Sequence, residues 1–186
     1  MRLTIFTTLA ATAALGLAAC DSREADGNAA VTANAADAAG DKTIAEGLSG
    51  DRKFADAARA AGLDQTLAGP GPYTVLVPSD AAFDKLPAGA LDALMKPEGR
   101  AELTRLLTFH VLPGTILAAD IGKAIDQGGG KAQLPTMEGA TLTATRDGDK
   151  IVIADSAGGK AVVTAADDKR SNGVIHRVDG VLMPAR

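Results

Sequence analysis

The chain has 186 residues, with 19 Lys and Arg against 23 Asp and Glu, a formal net charge of −4, one cysteine, one tyrosine, four phenylalanines and no tryptophan. No basic cluster exceeds the pair Lys169-Arg170, and proteins that track a phosphate backbone need a basic stripe, so nucleic acid is not an expected partner. Aromatic platforms for stacked bases or sugars are too few, and a single cysteine leaves no intramolecular disulfide to stabilise the fold.

Met1-Arg2 and the uncharged Ala/Leu/Thr-rich stretch from Leu3 to Ala19 are laid out as the basic and apolar regions of an export signal. Leu17-Ala18-Ala19-Cys20 resembles a bacterial lipobox, which implies cleavage before Cys20 and acylation of its thiol, so residues 1–19 are read as a lipoprotein signal peptide. Several acyl chains, each methylene contributing about 0.8 kcal/mol, hold a protein on a bilayer, and a membrane is the expected partner of this N-terminal lipid. Losing Arg2 leaves 18 basic against 23 acidic residues, a net charge of −5. Asp21 behind the acylated cysteine resembles the retention signal of inner-membrane lipoproteins. It favours the inner over the outer membrane, on the periplasmic side of the envelope.

Residues 20–41 are mostly Ala, Asn, Gly and acidic residues, with Ser22, Arg23 and Thr32 and a single Val after Cys20, too little apolar surface to offset the entropy of ordering. They read as a disordered tether with a typical span on the order of 25 Å. Residues 42–186 are the size of one ordinary domain. Ile44 and Leu48, then Phe54, Ala57, Ala58 and Ala61, have helical spacing, and Gly62 is placed to stop the helix. Asp64 is read as the cap of a short turn carrying Leu67, and Gly69-Pro70-Gly71-Pro72 breaks the chain. Tyr73–Val77 is a strand ended by Pro78, and Ser79 or Asp80 caps the turn holding Ala81, Ala82 and Phe83. Leu91 and Leu94 mark a helix, and Pro97 suits the first turn of another that runs through Leu103, Leu106 and Leu107 to about Phe109.

From Lys131 the pattern changes to strands around Leu142–Ala144, Ile151–Ala154, Ala161–Thr164 and Val174–Met183. Asp147-Gly148, Gly158-Gly159 and Asn172-Gly173 supply the turns, since Gly takes positive φ without steric cost. A helical first half followed by a strand-rich second half gives an α+β domain. In the last strand, Val174, His176 and Val178 face one way and Ile175, Arg177 and Asp179 the other, which predicts a central position.

Three segments carry a resemblance. Thr74-Val75-Leu76-Val77-Pro78-Ser79-Asp80-Ala81-Ala82-Phe83, Leu106-Leu107-Thr108-Phe109-His110-Val111-Leu112-Pro113-Gly114 and Asn172-Gly173-Val174-Ile175-His176-Arg177-Val178-Asp179-Gly180-Val181-Leu182-Met183-Pro184 resemble, in order, the motifs of the fasciclin domain family. The resemblance implies a β-wedge of two sheets with helices packed on one side, and an extracytoplasmic module that contacts other molecules. It points to Thr74, Pro78, Asp80, Phe83, His110, Pro113, Gly114, Asn172, Gly173, His176 and Asp179 as structural motif residues. The family usually has Tyr before the middle His; Phe109 lacks that hydroxyl. Asp120-Ile121 is too short a match to carry over a proposed integrin-contacting motif of animal members.

Ser79 and Asp80 suit a cap, a contribution of about 1 kcal/mol, better than a nucleophile and carboxylate. His110 suits a brace at a helix-to-strand corner better than a general base. Ser79, His110 and Asp155 make a triad only on paper, because no Gly-x-Ser-x-Gly elbow occurs. Two histidines without an acidic or thiol pattern do not make a zinc site, and Gly128-Gly129-Gly130 lacks the Lys-Ser or Lys-Thr ending of a phosphate loop. No metal, cofactor or catalytic residue is expected. The expected function is a lipid-anchored envelope interaction or adhesion module whose partner is an envelope or extracellular protein or polysaccharide. The alternative is a periplasmic enzyme or small-ligand binder with a pocket near Ser79, Asp80 and His110.

Overall fold

The computed structural model describes residues 29–30 and 40–185. The expected signal peptide, Cys20 and most of the expected tether lie outside the described residues. In chain order the elements are β1 (Ala29–Ala30), α1 (Ile44–Gly47), α2 (Arg52–Ala61), α3 (Asp64–Ala68), β2 (Tyr73–Pro78), α4 (Asp80–Phe83), α5 (Ala90–Met95), α6 (Arg100–Phe109) and β3 (Val111–Pro113). They continue with α7 (Ala118–Gln127), β4 (Lys131–Pro135), β5 (Thr141–Asp147), β6 (Lys150–Ala154), β7 (Lys160–Arg170) and β8 (Gly173–Val178). No described helix is long and apolar enough to cross a membrane.

The strands form one hydrogen-bonded order, β1-β4-β5-β6-β7-β8-β2-β3. Neighbours from β4 to β8 are antiparallel, β8 and β2 are parallel, and β2 is antiparallel to β3. The order comes close to meeting itself, since the Met137 N–H just past β4 donates to the Val111 carbonyl of β3 at 2.8 Å. β7 joins the two halves: its first residues pair with β6 and its last with β8, with register shifts between Val163 and Ala165 and between Ala165 and Asp168. Asp167 in the second shift has φ 59°, a left-handed conformation that Asp tolerates better than most residues.

β2 and β8 are buried on both faces. Leu76 and Val178 enter a core with Phe109, Ile121, Leu134 and Leu142. Val75, Val77 and Ile175 enter a second core with Phe54, Leu103 and Leu107. Period-two alternation thus feeds two different interiors from one pair of strands. The helices α1–α6 pack on the second core, with Phe109 at the end of α6 crossing into the first, but α7 buries Ile121 and Ile125 in the first. The expectation of helices on one side is corrected for α7, whose apolar stripe packs on β4 and β5.

Several elements form as their residues dictate. In α2 Phe54, Ala57 and Ala58 are buried, and Gly62 ends the helix at φ 78°, with the Leu63 N–H donating to the Ala58 carbonyl. Other boundaries differ. Asp64 is the first residue of α3 rather than its cap, and Pro97 opens a separate 3-10 turn before α6. The last strand stops at Val178 instead of Met183 because the Asp179 carboxylate takes the Val162 N–H at 2.7 Å, replacing the next ladder bond.

Gly173 stands opposite Tyr73 in the β2–β8 ladder. A Cβ there would lie 1.8 Å from the Tyr73 carbonyl oxygen, at φ 149°, so the strands can approach only because the side chain is missing. Gly173→Ala is expected to destabilise the domain by more than about 2 kcal/mol. Urea denaturation checks it; an unchanged midpoint would show that the two strands do not approach so closely.

Candidate functional site

The motif residues converge on β3, β2 and β8, three neighbouring strands, and on the corners that lead into them. Buried polar groups there must find partners inside the protein. Thr74 is 1% exposed; its hydroxyl donates to the Gly114 carbonyl at 2.7 Å and accepts the Ile116 N–H at 2.8 Å. Gly114 in turn donates its N–H to the Pro72 carbonyl. Thr74 and Gly114 therefore set the turn after β3, with Pro113 exposed at its tip.

Asn172 is a hub of the helical half. Its side-chain oxygen accepts the Ile44 N–H at the start of α1, and its amide donates to the Leu67 and Gly69 carbonyls at the end of α3, all at 2.8 Å. Its own carbonyl accepts the Tyr73 N–H at 3.0 Å. One side chain thereby fixes two helix ends against the β7–β8 turn.

Ser79 caps α4, its hydroxyl accepting the Ala82 N–H at 3.2 Å. Asp80 also caps, but a different helix: its carboxylate accepts the Lys53 N–H of α2 at 3.0 Å. The first turn of α2 needs this help because Asp51, at its own cap position, makes no capping bond. Asp51 is 5% exposed and receives the Arg177 Nε at 3.0 Å, while Arg177 Nη1 reaches Asp168 at 3.0 Å. Burial opposes the charge on Asp168, but Arg170 and Arg177 outweigh it and hold its carboxyl below the ordinary range. Asp51 as the partner of Arg177 was hidden in the sequence, where its place before α2 signals only a cap.

The two histidines are walled in, at 1% exposure for His110 and 0% for His176. His110 ends α6; its Nδ1 donates to the Leu106 carbonyl at 2.9 Å and its Nε2 accepts the Leu182 N–H at 3.1 Å. Phe54 and Phe109 present their rings edge-on to it. The next amide, Met183 N–H, donates to Asp155 at 2.9 Å. Asp155 spends its other oxygen on the Ala157 and Gly159 N–H groups of the β6–β7 turn. His110 and Asp155 so pin two successive amides of the segment after β8. His176 uses the opposite tautomer: Nε2 donates to the Ile116 carbonyl at 2.8 Å, and Nδ1 accepts the Asp167 N–H at 3.2 Å. The Asp167 carboxylate accepts the Ala118 N–H at 2.8 Å, capping α7 from the bent strand.

Both imidazoles are neutral. Burial pushes His110 down to about 4, against the weaker opposing pull of Leu106 and Asp155, and it lowers His176 in the same way. The 3.9 Å approach of His176 to the Asp167 carboxylate is consequently not an ion pair. Ser79, His110 and Asp155 do not assemble as nucleophile, base and orienter, because each is committed to backbone groups. His110, 1% exposed, is walled off from any surface that the half-buried Ser79 and Asp80 could share with it. Phe83 is 4% exposed and belongs to the second core, and Phe109, fully buried, would have no room to present a hydroxyl to solvent. Among the described residues no group of His, Cys, Asp and Glu could hold a metal ion.

The family model of the fasciclin domain matches residues 50–184. The chain belongs to the fasciclin domain family. Protein sll1483 of Synechocystis is 37% identical over 145 residues, 76% of this chain and 73% of that protein. Transforming growth factor-beta-induced protein ig-h3 of Sus scrofa is 36% identical over 129 residues, 69% of this chain and 17% of its own length. Immunogenic protein MPB70 of Mycobacterium bovis is 34% identical over 114 residues, 61% of this chain and 51% of that protein. In structure, a FAS1 domain pair from the insect cell adhesion molecule Fasciclin I aligns with TM-score 0.55 at 22% identity, covering 72% of this chain and 45% of that chain. The fasciclin motifs of this chain are thus the seams of its fold: β2 carries the first and lies between the strands carrying the second and third.

Because the folded state holds His110 near 4 while the unfolded chain titrates at 6.5, acid favours unfolding. The contribution of neutral His110 is complete above pH 6.5 and is lost as pH falls towards 4, by about 3 kcal/mol in all. Denaturation midpoints taken across that window are expected to fall in the wild type and to fall less in His110→Gln. Asn172→Asp, which keeps the acceptor but removes both donated bonds, is expected to lower stability by about 2–4 kcal/mol at pH 7, measured by chemical denaturation.

Proposed function

We propose that the protein is a lipid-anchored interaction module of the bacterial cell envelope that binds a protein or polysaccharide without transforming it. The observation that carries this reading is the use of both ring nitrogens of His110 and His176 on backbone groups, with Ser79, Asp80 and Asp155 likewise bonded to backbone amides. A general base must meet its substrate proton within hydrogen-bond reach, and neither buried, neutral imidazole has a free nitrogen to do so. The described fold thereby spends its reactive side chains on holding strands and helix ends in place. Family membership points the same way, since a solved relative of the same fold comes from a cell adhesion molecule. The bend of β7 is the hinge line of the two-sheet wedge this reading assigns to the domain.

Anchoring rests on Leu17-Ala18-Ala19-Cys20, and the choice of inner membrane on Asp21. The domain then stands on the periplasmic face and meets partners within the envelope. In cells fed a radiolabelled fatty acid, the wild type is expected to incorporate label and the Cys20→Ser variant none; label in the variant would overturn the anchor. Crosslinking in intact cells is expected to trap a defined envelope protein or glycan with wild type and His110→Gln alike. Turnover of a small substrate that disappears in His110→Gln while its melting temperature is unchanged would overturn the non-catalytic reading.

A further inference from the structure

Ala29 and Ala30 pair with the edge of β4. One side of β4 is taken by β5 along its whole length, from Lys131 opposite Thr145 to Pro135 opposite Thr141. The other side is an edge, and edges of sheets invite a foreign strand unless they are blunted or covered. Its two ends are blunted. Lys131 is exposed and charged, and Pro135, also exposed, has no N–H to offer. Just beyond Pro135, the Met137 N–H already bonds to Val111 of β3. What remains open is the middle of the strand, and Ala29 and Ala30 register on its residues Ala132 and Gln133 in parallel. Ten residues later Gly40 lies against the backbone of Lys169 and Arg170 of β7.

We infer that Ala29 and Ala30 form a strap that docks in cis on the β4 edge and fixes the chain to the sheet nine residues after Cys20. The edge is a strand-accepting site, and its resident is this segment rather than a second molecule. If Cys20 carries the anchor, as proposed above, Ala29 follows it by nine residues and reaches at most about 30 Å from the lipid. A tether free as far as Lys42 would follow by 22 residues and reach about 75 Å. The strap therefore holds the β4 edge towards the bilayer and the opposite end of the domain away from it.

The test uses the full chain with Cys20→Ser, which has no other cysteine, so it does not depend on lipidation. Ala30→Cys with Gln133→Cys is expected to oxidise to an intramolecular disulfide in most molecules, at least tenfold faster than Ala30→Cys with Gln65→Cys on α3. In a second measurement Ala29→Pro with Ala30→Pro is expected to speed amide exchange in the 131–134 segment at least tenfold, leaving the β8 amides unchanged. Equal oxidation rates for the two cysteine pairs, or unaltered exchange in the proline variant, would overturn the strap. Absence of lipid label from the wild type, with the disulfide still forming in the Cys20→Ser chain, would sink the anchor alone.

Discussion

Burial of β2 and β8 on both faces governs this molecule. A strand with one wet face can leave polar side chains in water; these two cannot, because Val75, Val77 and Ile175 face one interior and Leu76 and Val178 the other. Any polar atom placed in or beside them must be matched to a specific partner, since an unmatched one costs about 1–3 kcal/mol. Thr74, His176 and Asn172 meet that requirement with backbone groups from the loop after β3 and from β7, α1 and α3. The parallel pair then acts as a gauge that sets where every neighbouring corner must lie.

This explains why the motif residues look chemical in sequence and behave structurally in space. Ser, Asp and His are the residues that build active sites, and they are also the side chains best suited to bond backbone amides and carbonyls at distances of 2.7–3.2 Å. The deciding property is access. His110 and His176 face carbonyls and amides from both nitrogens, and a proton added to either would set two N–H groups against each other. Their opposite tautomers follow from which neighbour is the donor, not from any demand of catalysis.

Much of the architecture was legible where periodicity was strong. The α2 stripe, the short β-branched run of β2 and the alternation of β8 read correctly because each buries its apolar residues at regular intervals. β7 was only half visible: after Thr164 it runs Ala165-Ala166-Asp167-Asp168-Lys169-Arg170, a polar series whose pairing to β8 depends on a partner distant from β6. Side-chain partnerships between remote elements were not legible either. Asp80 with Lys53, Asp51 with Arg177 and Asp167 with Ala118 span 27, 126 and 49 residues, and no local spacing encodes such meetings. The role of α7 in the other core was likewise invisible until the sheet existed to receive it.

The place of β8 in the ladder bears on how the chain acquires its shape. It is the last strand in chain order, yet it lies between β7 and β2 and pairs residue for residue with a strand one hundred positions upstream. Until it emerges, the ribbon of β3 with β2 and the ribbon of β4 through β7 lack the ladder that joins them. Contacts of such sequence separation slow folding, so assembly of the sheet waits for the C-terminal part of the chain.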